Sequence, residues 1–315
     1  MTIAIIGAGV AGATCAHTLR DQVDCRVFEK SRGIGGRLAT RRHEDAEWDH
    51  GAPYFTARSK IFQAFLQPAI ASGQLQNWTP RQTTLEFGQP AYKRSWFEPH
   101  YIGVPTMKDW LKPRFDRARL TLNTQIDGIT GQSGAWFLHA NGHRFGPFKW
   151  VISTVPLDQS QAIFQRLAEM PHAEYLCQWA LLARLEQAPS WSLALAKDSV
   201  IERLTINSSK PERASPPTLV ATAQPAWSRD QFDQPHEAIR AKMQAAVELL
   251  LDQRVNPHAV HRWRYAKVLQ PHTERFWLEG SQQLGGCGDW GGNEGVEAAF
   301  LSAKALTDQL QTLLR

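Results

Sequence analysis

Ile5-Ile6-Gly7-Ala8-Gly9-Val10-Ala11-Gly12 decides the fold. This Gly-x-Gly-x-x-Gly run leaves a short apolar strand, Thr2 to Ile6, and enters an apolar helical stretch from Val10 to Arg20. A second strand, Cys25 to Glu29, follows and sets a carboxylate 17 residues beyond Gly12. Strand, glycine turn, helix and strand make the βαβ opening of a parallel sheet. Each glycine has a physical task there. Gly7 permits the tight turn, Gly9 lets the backbone approach a pyrophosphate, and Gly12 lets the helix pack closely on the sheet. The helix N-terminus presents unpaired N–H groups and the positive end of its dipole to phosphates. Glu29 can accept hydrogen bonds from adenosine ribose hydroxyls, and its charge disfavours a 2′-phosphate, which excludes the adenosine of NADP.

The 315 residues suffice for two domains or one large discontinuous one. Thirty-five basic against 30 acidic side chains leave a net charge of +5, too little over this surface to signal nucleic acid. The local group Arg37, Arg41 and Arg42 reads as a solvated or phosphate-facing loop. Four cysteines, Cys15, Cys25, Cys177 and Cys287, form no Cys-x-x-Cys pair, so no disulfide framework or zinc site is expected. The apolar start has no basic leading segment and is broken by glycines, and no stretch of about 18 uninterrupted apolar residues occurs. A cytoplasmic setting without membrane contact is expected. Trp outnumbers Tyr by 12 to 5.

Farther along, the pattern predicts a helix from Arg58 to about Leu66, a short helix from Pro105 to about Leu111, and a strand from Arg119 to Asn123. Asn141-Gly142 supplies a type I′ turn between strands Ala135 to Ala140 and His143 to Phe148. Val151 to Thr154 is a further strand. Beyond it lie strands near Leu176 to Leu185, Thr218 to Ala223 and Val260 to Tyr265, and a helix with Ile239, Met243, Val247 and Leu250 on one face. A glycine-rich turn, Gly285 to Gly295, leads to a terminal helix from about Val296 to Leu314.

Two motifs choose between NAD and FAD. In Ser31-Arg32-Gly33-Ile34-Gly35-Gly36-Arg37 the glycines allow close backbone approach, and Arg37 can set a planar guanidinium near a pyrophosphate. A nicotinamide dehydrogenase does not need this second turn. In Gly286-Cys287-Gly288-Asp289-Trp290 the acid can bind a flexible polyol, and the helix beyond can stabilise negative charge on a reduced ring. FAD has both.

These blocks, with Asp49-His50-Gly51-Ala52-Pro53-Tyr54-Phe55-Thr56-Ala57-Arg58, Arg262-Trp263-Arg264-Tyr265-Ala266 and Val296-Glu297, carry a resemblance. The chain resembles the FAD-dependent oxidases and desaturases of the glutathione-reductase-like class, in the branch of the amine oxidases, and among them the renalases, bacterial ones in particular. The resemblance implies noncovalent FAD held by Gly7, Gly9, the Ala11 backbone, Gly12, Glu29, Lys30, Gly36, Arg37, Pro53 and Tyr54. It further implies a strand residue near Ile126 at the adenine, Asp289 on the ribityl chain and Val296 at the isoalloxazine. The implied chemistry is hydride transfer from isomeric dihydro forms of NAD(P)H to flavin N5, with electrons passing to O2 as hydrogen peroxide. Positioning then matters more than acid–base groups. Two positions depart from the bacterial pattern. Pro53 stands where an amide-bearing residue is usual, and Gly295, after Glu294, stands where an arginine is usual, which weakens the case for an anionic dinucleotide substrate.

On the substrate side Tyr101, Trp179 and Trp290 are candidates to sandwich a planar molecule, with core packing as the alternative for each. Glu294 can bind an amine or simply complement the helix dipole, and Gly295 lies beside it. His50 and Asp49, adjacent on an extended segment, point to opposite faces and read as structural. Cys287 reads as a small buried residue. The expected fold is α/β. A Rossmann-type, glutathione-reductase-like FAD domain spans 1–52, 116–155 and 284–315, and a discontinuous mixed-sheet α+β substrate domain spans 53–115 and 156–283. The rival functions are a flavin amine oxidase or desaturase and, from another class, a redox-idle FAD-binding protein acting through a partner.

Overall fold

Thr2–Ile6, apolar on both faces, forms strand β1; Val10–Leu19 forms helix α1; Asp24–Phe28 forms strand β2. The computed structural model describes residues 2–93, 98–165, 167–213, 216–292 and 295–314. Its first sheet has six strands in the order Phe276–Glu279, Leu284–Cys287, Trp150–Ser153, β1, β2, Arg119–Thr121. All neighbours are parallel except the outer Phe276–Glu279 strand, which is antiparallel. One face is covered by α1, helix Lys60–Ala71 and the C-terminal helix Val296–Leu313. The other is covered by the three-stranded antiparallel sheet Gly128–Gln132, Ala135–Ala140 and His143–Phe148. Burial on both faces is what lets β1 read as a continuous apolar run.

A second, seven-stranded mixed sheet runs Val255–Gln270, Glu174–Leu185, Thr218–Ala223, Ile201–Ile206, Leu193–Ala196, Gln82–Leu85, Tyr92–Lys93. Helix His236–Leu251 lays Ile239, Met243 and Val247, all fully buried, on one face of it. Hairpin Thr40–His43/Ala46–Asp49 packs on the opposite face, where Trp48 meets Ala180, Leu182 and Val220 and donates through Nε1 to the Ala183 carbonyl at 2.9 Å. Among the described residues no helix is long and apolar enough to cross a membrane.

Two expectations change, and one hairpin is new. The helix expected from Pro105 to Leu111 is replaced by a 3-10 segment, Asp109–Phe115, running through Pro113. The Asp109 carboxylate accepts from the N–H and hydroxyl of Thr106, at 3.0 and 2.7 Å, and so closes residues 106–109 as a turn. The strand expected from Val260 to Tyr265 extends over Val255–Gln270 and accommodates Pro257 because it lies at the sheet edge. The Thr40–Asp49 hairpin, hidden behind a charged sequence, is held from behind by buried charges.

Asp49 is 1% exposed and accepts from Lys210 Nζ at 2.8 Å, Arg213 Nε and Nη2 at 3.1 and 2.9 Å, and Thr40 Oγ1 at 2.5 Å. Burial opposes its charge, yet the two cations hold the Asp49 carboxyl below the usual range. Arg213 also donates to the Gly103 carbonyl at 2.9 Å. Beyond the hairpin, His50 stacks on Trp263 at 5.3 Å and meets His261 edge-on at 4.8 Å. Burial, reinforced by Arg41 for His50 and by His50 for His261, pushes their pKa values down to about 4 and about 3.

Both imidazoles are therefore neutral when folded, while the unfolded chain takes up protons below about 6.5. Stability is undiminished above pH 6.5 and falls as pH drops from there toward 3–4, by at most about 1.4 kcal/mol per pH unit per histidine. Thermal unfolding followed from pH 7.5 to 5 is expected to show this decline, and H261F, which keeps a ring against Trp263, is expected to flatten it. An unchanged slope in H261F would refute the assignment.

Candidate functional site

The site grows from the end of β1. Gly7 takes φ +104° and donates to the Phe28 carbonyl at 2.8 Å. A Cβ on Gly12 would lie 2.0 Å from the Gly7 carbonyl oxygen, so α1 can start this close to the strand only without one. Gly9 differs. It is extended, φ −81° and ψ −165°, and a Cβ there would meet nothing within 4 Å. The first N–H to bond back within α1 is that of Ala13, to the Gly9 carbonyl at 2.9 Å, and no side chain caps the helix. The N–H groups of Val10, Ala11 and Gly12 are thus left to a ligand or to water.

The second glycine turn lies against the first. Gly35, φ +113°, donates to the Ala8 carbonyl at 2.8 Å, and a Cβ on Gly36 would lie 3.6 Å from the Gly9 Cα. Glu29, 6% exposed, accepts from the N–H of Ala8 at 2.9 Å and of Ser31 at 2.8 Å. Each carboxylate oxygen retains acceptor capacity for a hydroxyl. Lys30 is exposed beside it. Ile126 is not on a strand. It is buried in the irregular link after Thr121, where Thr124 donates to the Glu29 carbonyl at 2.9 Å, because the chain must leave the sheet edge to begin the three-stranded sheet at Gly128.

Arg37 and Asp289, each expected to face the cofactor, bind one another. Two parallel 2.7 Å hydrogen bonds join guanidinium and carboxylate, and Arg37 also donates to the Tyr265 carbonyl at 3.2 Å. The pair ties the second glycine turn to the end of strand Leu284–Cys287 and to the second sheet. Sequence reasoning missed this because the partners are 252 positions apart.

Residues 51–59, 98–101 and 295–297 converge next to it. A Cβ on Gly51 would lie 2.0 Å from the Arg37 carbonyl oxygen, to which Ala52 donates at 2.9 Å, and this seats half-buried Pro53 and Tyr54. Tyr54 meets the His100 ring edge-on at 3.8 Å. Tyr101 exchanges both backbone bonds with Phe55 and is half-buried. Val296 opens the terminal helix after exposed Gly295, φ +109°, and Glu297 accepts from the N–H groups of Arg58 and Ser59, both at 2.7 Å. Glu297, read in sequence only as part of a matching block, therefore caps a second helix start. Glu294 lies outside the described residues.

Trp290 and Trp179 do not face this space. Trp290, 1% exposed, packs over Gly288, where a Cβ would lie 2.6 Å from its Nε1, in the core under the three-stranded sheet. Trp179 is fully buried on the sheet face that carries helix His236–Leu251, since strand alternation sends its neighbours Gln178 and Ala180 the other way. Cys287 is a buried core residue with its Sγ 3.6 Å from that of Cys15.

The NAD(P)-binding Rossmann-like domain family matches residues 5–68. The whole chain is similar to a protein provisionally designated a protoporphyrinogen oxidase from Exiguobacterium sp. 255-15, at 11% identity and a TM-score of 0.75, covering 99% of this chain and 98% of that one. It is similar to an oxidoreductase from Methanosarcina mazei at 13% identity and 0.72, covering 98% and 100%. Putrescine oxidase matches at 11% identity and 0.67, covering 99% of each chain. The fold is a Rossmann-type dinucleotide-binding domain with mixed sheets, shared with oxidoreductases. At these identities the likeness is one of fold.

The Arg37–Asp289 pair invites a double-mutant cycle. R37M strands a carboxylate only 6% exposed and is expected to cost about 3 kcal/mol, the low end of the range because Arg37 itself is about one-third exposed. D289L with R37M is expected to recover most of that in denaturant unfolding, and additive losses would show that the pair contributes no coupling.

Proposed function

We propose that this chain is an oxidoreductase that binds FAD noncovalently and takes a hydride from a planar reduced substrate, in the manner of the renalases, with isomeric dihydro forms of NAD(P)H as substrate class and O2 as acceptor. The observation that carries the reading is the pair of glycine turns facing each other at Gly9 and Gly36, with Gly9 open to space, Glu29 at one end and Arg37–Asp289 at the other. A single dinucleotide turn accounts for Gly9 and Glu29. The second turn and the buried acid suit a longer cofactor with a polyol. FAD would supply a ring nitrogen, N5, that accepts a hydride.

The chain's own residues bind and orient. The N–H groups of Val10 to Gly12 would hold the pyrophosphate, Glu29 the ribose, and Asp289 the polyol after sharing its hydrogen bonds with Arg37. Pro53, Tyr54 and Val296 would flank the ring, with Tyr101 at the rim. The division into a cofactor unit, 1–52, 116–155 and 284–315, and a substrate unit, 53–115 and 156–283, belongs to the same proposal. Amine oxidation is the second reading, supported by the structural likeness to putrescine oxidase.

Anaerobic mixing of the yellow protein with isomeric dihydro forms of NADH, ordinary NADH and a panel of amines separates the readings. Bleaching by the isomers, followed by peroxide on admitting air, is expected. Bleaching by amines alone would establish the second reading, and reduction by dithionite but by no donor would indicate a redox-idle protein. A colourless protein that refuses FAD would sink all three.

A second test uses the glycines. G9V is expected to fold with little change in Tm and to lose FAD, because its side chain fills the open approach. G12V is expected not to fold, because its Cβ meets main chain. Flavin retained by folded G9V would refute the assigned path of the pyrophosphate.

A further inference from the structure

Arg26 and Arg119 are register partners on two neighbouring parallel strands of the first sheet, β2 and Arg119–Thr121. Alternation sends both side chains to the face that carries Phe28 and the three-stranded sheet. Like charges set directly opposite one another destabilise a sheet. Among the described residues neither guanidinium meets a carboxylate. Arg26 instead donates through Nε to the Thr121 hydroxyl at 3.3 Å and lies over the Phe28 and Phe145 rings, 4.8 Å from each centroid. Burial and the neighbouring Arg119 both lower its pKa from the ordinary value. A half-buried guanidinium is thus held in a fixed place beside a second one, rather than released to water.

The pair opens into a cavity of about 390 Å³ between the starts of β1, β2 and Arg119–Thr121 and residues 146–148 of the three-stranded sheet. Parallel strands offer their dinucleotide site at their carboxyl ends, where Gly7 and Glu29 follow β1 and β2. The cavity lies at the opposite, amino ends, so it is separate from the cofactor space. Arg117 also lines it and pairs with Asp21, which Arg20 shares at 3.4 Å. Asp24 is the carboxylate of the lining, and among the described residues no cation pairs with it. Four guanidiniums therefore stand against two carboxylates, which leaves two positive charges uncompensated.

That excess matches a dianion. A phosphate monoester carries about two negative charges at neutral pH, whereas a carboxylate would neutralise half of the excess. Guanidinium forks also fit phosphate oxygens in pairs. Pro147 and the buried Phe148 beside them give an apolar wall to whatever carries the phosphate. We propose that Arg26 and Arg119 form a binding site for the phosphate group of a small molecule, at the end of the first sheet away from the cofactor. The site goes beyond the FAD reading and does not depend on it.

Calorimetric titration of the purified protein with inorganic phosphate, phenyl phosphate and, as a monoanion, benzoate, at fixed ionic strength, tests it. Both phosphates are expected to bind at least about tenfold more tightly than benzoate, the scale of one charge-assisted hydrogen bond. R119Q, at an exposed position on an outer strand, removes one of two like charges. It is expected to leave Tm unchanged or raised and to weaken both phosphates at least about tenfold. R26Q is expected to weaken them as much. G9V, which blocks the first glycine turn, is expected to bind them unchanged and so separates this cavity from the path of a cofactor pyrophosphate. Tighter binding of phenyl phosphate than of the free ion supports the site with an ester as its ligand, and equal affinities support it with the free ion. Benzoate binding as tight as phosphate, binding of neither phosphate, binding that survives in R119Q, or binding that is lost in G9V would each overturn the proposal. A colourless protein that binds phosphate through these arginines fails the FAD reading alone.

Discussion

The peptide of Ala8 is pinned on both sides, and the architecture of the site depends on it. Its N–H is taken by the Glu29 carboxylate and its carbonyl by the Gly35 N–H, so the first turn, the end of β2 and the second glycine turn share one anchoring unit. The pin requires α1 to begin within three residues of β1, and that in turn requires the missing Cβ of Gly12 against the Gly7 carbonyl. A glycine inside a helix costs about 1 kcal/mol relative to alanine, which this contact must repay through the position it gives to the turn. Arg37, two residues beyond Gly35, then reaches Asp289 and Tyr265 and extends the same anchor to the second sheet.

A second constraint is electrostatic. Lys210 and Arg213 have fully buried side chains, and removing such ions from water costs several kcal/mol each before any partner is counted. Asp49 meets both, and Arg213 spends further donors on the Gly103 carbonyl. The cluster is therefore better understood as fixing geometry than as adding net stability. It locks hairpin Thr40–Asp49, the segment after Ile206 and the end of strand His100–Gly103 into one arrangement. His50 to Tyr54 leave that hairpin directly, so the cluster sets where Pro53 and Tyr54 stand relative to Arg37.

The parts of the fold legible in sequence are those in which a local rule and the global structure agree. β1, α1, β2, the Asn141-Gly142 hairpin and the stripe of helix His236–Leu251 all bury a pattern with a clear period. Hairpin Thr40–Asp49 was hidden because Arg41, Arg42, His43, Glu47 and Asp49 mask its alternation, and their justification lies in partners such as Arg213, 164 residues away from Asp49. At the site, the glycines and Glu29 were legible because their tasks are set by backbone geometry alone. The mutual pairing of Arg37 and Asp289 was not, since nothing local distinguishes a charge that meets a cofactor from one that meets another charge. The inward course of Trp179 and Trp290 was one of two readings left open, core packing against a place at the site, because a single tryptophan carries no sign of which face of a strand or turn it takes.

The abundance of tryptophan over tyrosine follows from how the layers are joined. Trp48, Trp110, Trp136, Trp179 and Trp290 are all less than 2% exposed, so their role is to fill volume between layers. Three indoles add a directional bond. Trp48 donates across to the Ala183 carbonyl, Trp136 to that of Gln282, and Trp263 to that of His50. Each bond crosses from one structural layer to another and satisfies a carbonyl of the receiving chain. An indole suits this because it is a donor only, whereas a buried phenol brings an acceptor that also needs a partner. The half-buried phenol of Tyr175 does find one, accepting the Leu157 N–H at 3.0 Å. In a chain that stacks three sheets and two two-stranded ribbons, the tryptophans fill volume between layers, and at Trp48, Trp136 and Trp263 they also bond across them, whereas the buried Nε1 atoms of Trp110, Trp179, Trp277 and Trp290 have no hydrogen-bond partner among the described residues.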